Sequence, residues 1–160
     1  MKSLKQLLLL FKSWFNPITE KNNRLLFYQV AISCLGTDVT PEDTILDSVA
    51  CAETVNAIHF KAFGFPIGGG ASTYWLWKSL ERSAFFIKVN EPFEGDIIIS
   101  PTGTGKTEIM SGHVGIVGEL SKVMANDSND GLFKEKYTLN AWRERWGDRG
   151  GYPIYCFRRL

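Results

Sequence analysis

Residues 112–118 read Gly-His-Val-Gly-Ile-Val-Gly, and an earlier apolar run, Ile-Ile-Ile, lies at residues 97–99. Both runs are short, rich in β-branched side chains and bounded by glycine, proline, serine or aspartate, which is the pattern of β-strands. Two such runs in succession predict neighbouring strands, with His113 at the start of the second. The sequence therefore predicts a sheet in this half of the chain.

The first half of the chain has helical patterns instead. The predicted helices are at 19–36, 51–63, 74–82 and 139–146, with a short helix also expected to begin at Thr40. The predicted strands are at 85–89, 96–100, 113–117, 122–125 and 154–157. Gly64 is suited to end the helix at 51–63, Ser72 or Thr73 is suited to cap the helix at 74–82, and Thr138 is suited to cap the helix at 139–146. Helices followed by strands predict an α+β fold in which N-terminal helices pack on a small antiparallel β-sheet.

Length and charge restrict the class of protein. With 160 residues the chain is expected to form one compact unit, divided here into a helical extension at 1–38 and a catalytic domain at 39–160. The net charge of +1 argues against a general nucleic-acid binder. The charge is nevertheless uneven, because residues 1–30 carry +4, residues 31–133 carry −7 and residues 134–160 carry +4.

The N-terminal fifteen residues predict an amphipathic helix. Leucine and aromatic residues recur there at helical spacing, between Lys2, Lys5 and Lys12. The apolar run is too short to span a bilayer, and no small-residue cleavage site follows it. We therefore expect no transmembrane segment and no signal peptide. The helix is expected to dock on the domain or on a partner protein, and synthesis is expected in the cytoplasm.

A phosphate-loop-like string, Pro-Thr-Gly-Thr-Gly-Lys-Thr, occupies residues 101–107. The Walker pattern needs a first glycine where this chain has Ser100, and it needs a helix directly after the loop. Ser111 and Gly112 follow too soon for that helix. A hairpin loop is the better interpretation, and nucleotide binding through Lys106 stays a minor alternative.

Cys51 and His113 together predict thiol chemistry. Cys51 stands where a helix begins, among small neighbours, and a helix N-terminus lowers the pKa of a thiol. His113 begins a strand, so the pair has the division of nucleophile and base that papain-like catalysis requires. His59 lies eight residues beyond Cys51 on the same helix, about 12 Å along its axis, and is therefore not the base.

A third residue is expected to orient the imidazole. Asn126 ends the next predicted strand and is preferred, with Asp127 as the backup. The backbone amide of Cys51 is expected to supply one oxyanion donor. Cys34 and Cys156 are interpreted as core residues. Neither a metal site nor a cofactor is predicted, because no Cys-x-x-Cys or similar cluster occurs.

Four segments together resemble the papain-like peptidoglycan hydrolases, which include the NlpC-type peptidases and the CHAP domains. They are residues 51–55, the Gly-Gly-Gly-Ala-Ser-Thr loop at 68–73, residues 95–103 and residues 112–118. The string Met-Ala-Asn-Asp-Ser at 124–128 resembles small phage or prophage members. No aspartate directly precedes the cysteine, which favours CHAP-like over NlpC-type chemistry.

The resemblance implies a triad at Cys51, His113 and Asn126, and cleavage of an amide bond in the peptide part of the bacterial cell wall. It also implies substrate contacts in the glycine loop, here assigned to Gly70, Ser72 and Thr73. The expected partner is the peptidoglycan stem peptide, reached after release or after delivery by a phage particle. A non-enzymatic phage particle or assembly protein that keeps the fold is the alternative.

Overall fold

The computed structural model describes residues 17–40, 50–106 and 111–160. Helices are α1 (Pro17–Ser33), α2 (Cys51–Phe63), α3 (Thr73–Arg82) and α4 (Leu139–Trp142), the last continuing as a π-helical segment over Arg143–Arg149. Strands are β1 (Phe86–Val89), β2 (Ile97–Ser100), β3 (His113–Val117), β4 (Lys122–Asn126), β5 (Phe133–Thr138) and β6 (Tyr155–Arg159). The amphipathic helix predicted for the N-terminal fifteen residues lies outside the described part of the chain.

Local chemistry sets three helix ends as the sequence predicts, whereas α1 covers Pro17–Ser33 instead of the predicted 19–36. Gly64 closes α2 in the left-handed region, at φ 79°, where a side chain would be strained. The Ser72 hydroxyl accepts a hydrogen bond from the amide of Trp75 at the start of α3 (3.3 Å). The Thr138 hydroxyl accepts one from the amide of Ala141 at the start of α4 (3.1 Å).

Six strands form one antiparallel sheet in the order β1-β6-β2-β3-β4-β5. The neighbours β2 and β3 pair in a register that sets Ser100 opposite His113 and Ile97 opposite Ile116. The predicted α+β class and the antiparallel sheet are confirmed.

Strand β5 was absent from the sequence prediction. Its sequence, Phe-Lys-Glu-Lys-Tyr-Thr, contains three consecutive charges and so lacks an apolar run. The strand lies at the edge of the sheet, where charged side chains remain exposed and protect the edge from pairing with other chains.

Two apolar clusters pack on opposite faces of the sheet. The helix-side cluster includes Phe27, Cys51, Val55, Ile58, Leu76, Val114, Ile116, Met124 and Phe133. The far-side cluster comprises Ile98, Val117, Val123, Leu139, Trp142, Trp146, Tyr152 and Cys156. Because Phe27 belongs to the helix-side cluster, α1 packs within the same core as α2. Among the described residues, no helix is long and apolar enough to cross a membrane.

Candidate active site

Cys51 is the first residue of α2, as predicted, and it is 7% exposed. Burial raises the pKa of the Cys51 thiol to about 11. Hydrogen bonds from the backbone amides of Val114, Ala52 and Cys51 itself act in the opposite direction and lower this pKa. Two of these amides belong to the helix N-terminus and the third belongs to β3. The sulfur is therefore surrounded by hydrogen-bond donors that would stabilise a negative charge.

His113 begins β3, and its imidazole stacks on two indole rings of the far-side cluster. Its ring centroid lies 5.4 Å from that of Trp142 and 5.1 Å from that of Trp146. Both indoles are fixed, because Trp142 Nε1 donates to the Ser100 hydroxyl and Trp146 Nε1 donates to the Ser111 carbonyl, each at 3.1 Å. The ring plane of His113 is thus determined by packing on groups that are themselves hydrogen-bonded.

The imidazole of His113 is neutral at neutral pH. Burial lowers its pKa to about 3, the positive charges of Lys136 and Arg145 lower it further, and the carboxylate of Asp127 acts in the opposite direction. Nε2 is buried and has no hydrogen-bond partner within the described residues. A neutral imidazole is the form that accepts a proton from a thiol.

Cys51 and His113 form no hydrogen bond with each other in the described part of the chain. The sulfur reaches the amide of Val114, which is the next residue after His113. Alternation along the strand directs Val114 toward the helix-side cluster and His113 toward the two indoles. The Cys51 sulfur and the His113 imidazole therefore lie on different faces of the sheet.

The two candidates for the third residue lie at the end of β4, Asn126 as its last residue and Asp127 directly after it. Asn126 is 3% exposed and alternates with Met124, so its side chain points to the helix side. Asp127 follows the strand, and its carboxylate raises the pKa of His113. Asp127 also forms ion pairs with Lys134 (3.7 Å) and Lys136. The structure thus brings the backup residue Asp127 into the electrostatic environment of His113.

The glycine loop is held against α2 by a buried asparagine that the sequence analysis missed. Asn56 Nδ2 donates to the carbonyls of Gly68 (3.1 Å) and Gly70 (3.3 Å), and Asn56 Oδ1 accepts from the amide of Gly68 (3.0 Å). A polar residue on an otherwise apolar helix face was the available signal. These three bonds fix the loop that contains the predicted contact residue Gly70.

A chain of hydrogen bonds connects the predicted contact residue Thr73 to the start of β3. The hydroxyls of Thr73 and Thr102 lie 2.9 Å apart, and the Thr102 amide donates to the Thr73 hydroxyl at 3.0 Å. The amide of Gly112, which precedes His113, donates to the Thr102 hydroxyl at 3.0 Å. The other predicted contact residue, Ser72, caps α3.

Residues 101–106 of the phosphate-loop-like string form turns and bends after β2. The amide of Lys106 donates to the carbonyl of Gly150 (3.0 Å), and β3 begins seven residues after Lys106. That distance leaves no room for the long helix that a phosphate loop needs. No group of three metal-ligating side chains occurs within residues 17–40, 50–106 and 111–160.

No protein-family profile and no curated protein matches the sequence. The fold is similar to that of Tae3 in the solved type VI native effector–immunity complex Tae3–Tai3 from Ralstonia pickettii. The TM-score is 0.52 with 18% sequence identity, over 86% of this chain and 98% of that chain. At this identity the likeness concerns the fold, and the fold of this chain is α+β and papain-like.

Proposed function

We propose that this protein is a cysteine-dependent amidohydrolase or endopeptidase that cleaves amide bonds in the peptide part of peptidoglycan. The observation that carries the proposal is the position of the Cys51 sulfur, at a helix N-terminus and beside the amide of Val114. This is the arrangement in which papain-like folds form a thiolate next to a strand histidine. The fold likeness to the Tae3 effector supports the same coarse class of reaction.

In the proposed reaction His113 takes the proton of the Cys51 thiol, and the sulfur forms a bond to the carbonyl carbon of the substrate. The C–N bond then breaks, and the imidazolium returns its proton to the leaving amine. Water attacks the thioester with His113 as base, which releases the acid and regenerates the thiol. The backbone amide of Cys51 is placed to donate to the oxyanion.

The resting pair is neutral in this scheme. A thiol with a pKa of about 11 and an imidazole with a pKa of about 3 do not form an ion pair at pH 7. The activated pair therefore needs His113 to leave its stacked position, where burial and the two cations oppose protonation. Asp127, with Asn126 as the other candidate, would then stabilise the imidazolium.

Delivery and partners are part of the same proposal. The resemblance to phage and prophage members favours release at lysis or delivery by a phage particle, whereas the likeness to an effector–immunity complex favours a secreted effector that binds a protein partner. Both routes place the enzyme at the bacterial cell wall. The N-terminal amphipathic segment is the proposed docking element.

Peptidoglycan digestion tests the proposal. Purified sacculi are incubated with the wild-type chain, Cys51→Ala and the matched control Cys34→Ala, and the released fragments are analysed by mass spectrometry. We expect fragments with a new amine and a new carboxylate from the wild type and from Cys34→Ala, and none from Cys51→Ala. Equal release by Cys51→Ala, with its fold intact by circular dichroism, would contradict the proposed role of the thiol.

A further inference from the structure

The turn between β3 and β4 presents a leucine to solvent. Leu120 is 88% exposed, the largest exposed fraction among the large apolar residues that the structure describes. It lies in the left-handed region, at φ 52° and ψ 37°, and Ser121 follows at φ 60°. Two successive residues at positive φ are typical of a type I′ hairpin turn, where asparagine and glycine are usual. A leucine at this position therefore costs the isolated chain both backbone strain and apolar exposure.

Backbone hydrogen bonds hold this turn in place. The amide of Gly118 donates to the Lys122 carbonyl at 2.8 Å, and the amide of Lys122 donates to the Glu119 carbonyl. The turn follows the end of β3 that is remote from His113, and the two ends of this strand are about 13 Å apart. Leu120 is thus presented in a fixed position, away from the proposed base.

A groove separates this turn from α1. It is lined by Leu25 and Tyr28 of α1, by Glu94 ahead of β2, and by Glu119 and Leu120 of the turn. Its volume is about 380 Å³, which lies within the range of about 300–1,000 Å³ that is typical of ligand sites. The helix and the turn therefore each contribute an apolar side chain to the groove.

The rim of the groove is acidic. Glu119 is exposed and forms no ion pair within the described residues, whereas Glu94 pairs with Arg24 at 3.6 Å. Partial burial and the negative charge of Glu119 raise the pKa of Tyr28, and the charge of Glu94 acts in the same direction. The carboxylate of Glu119 therefore lies close to the apolar lining, where it is complementary to a cation.

We propose that this groove binds a basic amphipathic helix of a partner protein, whose apolar side chains cover Leu120 and Leu25 and whose lysine or arginine pairs with Glu119. A helix supplies such a surface, because its apolar stripe is flanked by polar positions. A strand from the partner would find no open edge at this turn, since β3 and β4 each have two neighbours in the sheet. An anionic membrane surface would be repelled by the two glutamates. The proposal is independent of the proposed catalysis.

Binding of a leucine–lysine peptide tests the groove. The probe is the fluorescently labelled amphipathic peptide LKKLLKLLKKLLKL, titrated with the full chain and followed by fluorescence anisotropy, and the acidic peptide LEELLELLEELLEL is the comparison. The variants are Glu119→Gln and Leu120→Asn, the second of which places a residue usual for this turn at its tip. The matched control is Trp75→Ala, which removes a side chain that is 57% exposed on α3.

We expect Leu120→Asn to raise the Kd of the basic peptide about tenfold, because the contact of a buried leucine is lost. The same variant should unfold at a higher urea concentration than the wild type, because asparagine tolerates the left-handed region. Glu119→Gln should raise the Kd about threefold and weaken its dependence on salt. Trp75→Ala should bind like the wild type.

The proposal would be overturned if the basic peptide does not bind, if the acidic peptide binds equally well, or if the Kd of Leu120→Asn is unchanged. It would also be overturned if Leu120→Asn is less stable than the wild type, because the leucine would then contribute to the fold. Binding to phosphatidylglycerol vesicles in preference to the peptide would assign the turn to a membrane surface instead.

Discussion

Two histidines whose pKa values are lowered in the folded protein should make its stability fall steeply between pH 8 and pH 5. His59 is completely buried, its Nδ1 donates to the Phe65 carbonyl at 2.7 Å, and its ring lies 4.7 Å from that of Phe63. Burial lowers its pKa to about 4, the Phe65 carbonyl opposes this shift, and the nearby Arg159 charge adds to it. Burial lowers the pKa of His113 to about 3.

The sign follows from proton linkage. An unfolded histidine has a pKa of about 6.5, so below that pH the unfolded chain binds protons that the folded chain does not bind. The stabilising contribution is complete above pH 6.5 and is lost as the pH falls toward the folded pKa. Between pH 8 and pH 5, the protonation equilibrium of each histidine should lower the free energy of unfolding by about 2 kcal/mol. The two histidines together should lower it by about 4 kcal/mol.

Urea unfolding monitored by tryptophan fluorescence measures this change, because Trp142 and Trp146 are buried. The variant His59→Gln lacks one of the two titrating groups. Its free energy of unfolding should therefore fall by only about 2 kcal/mol between pH 8 and pH 5, whatever its absolute stability. Asp127 and Asp130 have lowered pKa values and stay ionised throughout this window. A wild type that changes by less than about 1 kcal/mol, or a variant as pH-sensitive as the wild type, would refute the reasoning.

Three substitutions test the packing around the site, each by urea unfolding at pH 8. Asn56→Ala should lower the unfolding free energy by about 2–3 kcal/mol, because the three hydrogen bonds from the buried Asn56 side chain to Gly68 and Gly70 are lost; a loss below 1 kcal/mol would contradict that role. Gly69→Ala should cost about 3 kcal/mol, since φ is +83° and the new Cβ meets α3, whereas a neutral result would mean that the loop is not held there. Asp96→Asn should cost about 3 kcal/mol, because Asp96 is completely buried and accepts from Arg158 at 2.8 and 3.1 Å; equal stability would show that the ion pair contributes little.

Several helix ends could be predicted from the chemistry of the residues at those ends. Gly64 ends α2 because a residue without a side chain adopts the left-handed region at little cost. Ser72 caps α3 because its hydroxyl replaces a missing backbone partner. These effects act within a few residues of the chain, so the sequence contains all the information that they need.

The candidate site was only partly predictable from the sequence, because local effects do not determine which distant residues meet in the fold. The positions of Cys51 at a helix start and His113 at a strand start were predictable, and their catalytic roles stay predictions. The stacking of His113 on Trp142 and Trp146 was not predictable, because it joins residues about 30 positions apart through the fold. Strand β5 was missed because its charges conceal the alternation that an edge strand tolerates.

The sequence by itself determined the residue types and their secondary-structure positions: a thiol at a helix N-terminus, an imidazole at a strand start and a glycine loop between two helices. Tertiary structure decided which groups face one another. It directs Asn126 and His113 to different faces of the sheet and brings Asp127 into the environment of the imidazole. The physical reason is that strand register and the alternation of side chains fix these contacts, and register depends on the whole sheet.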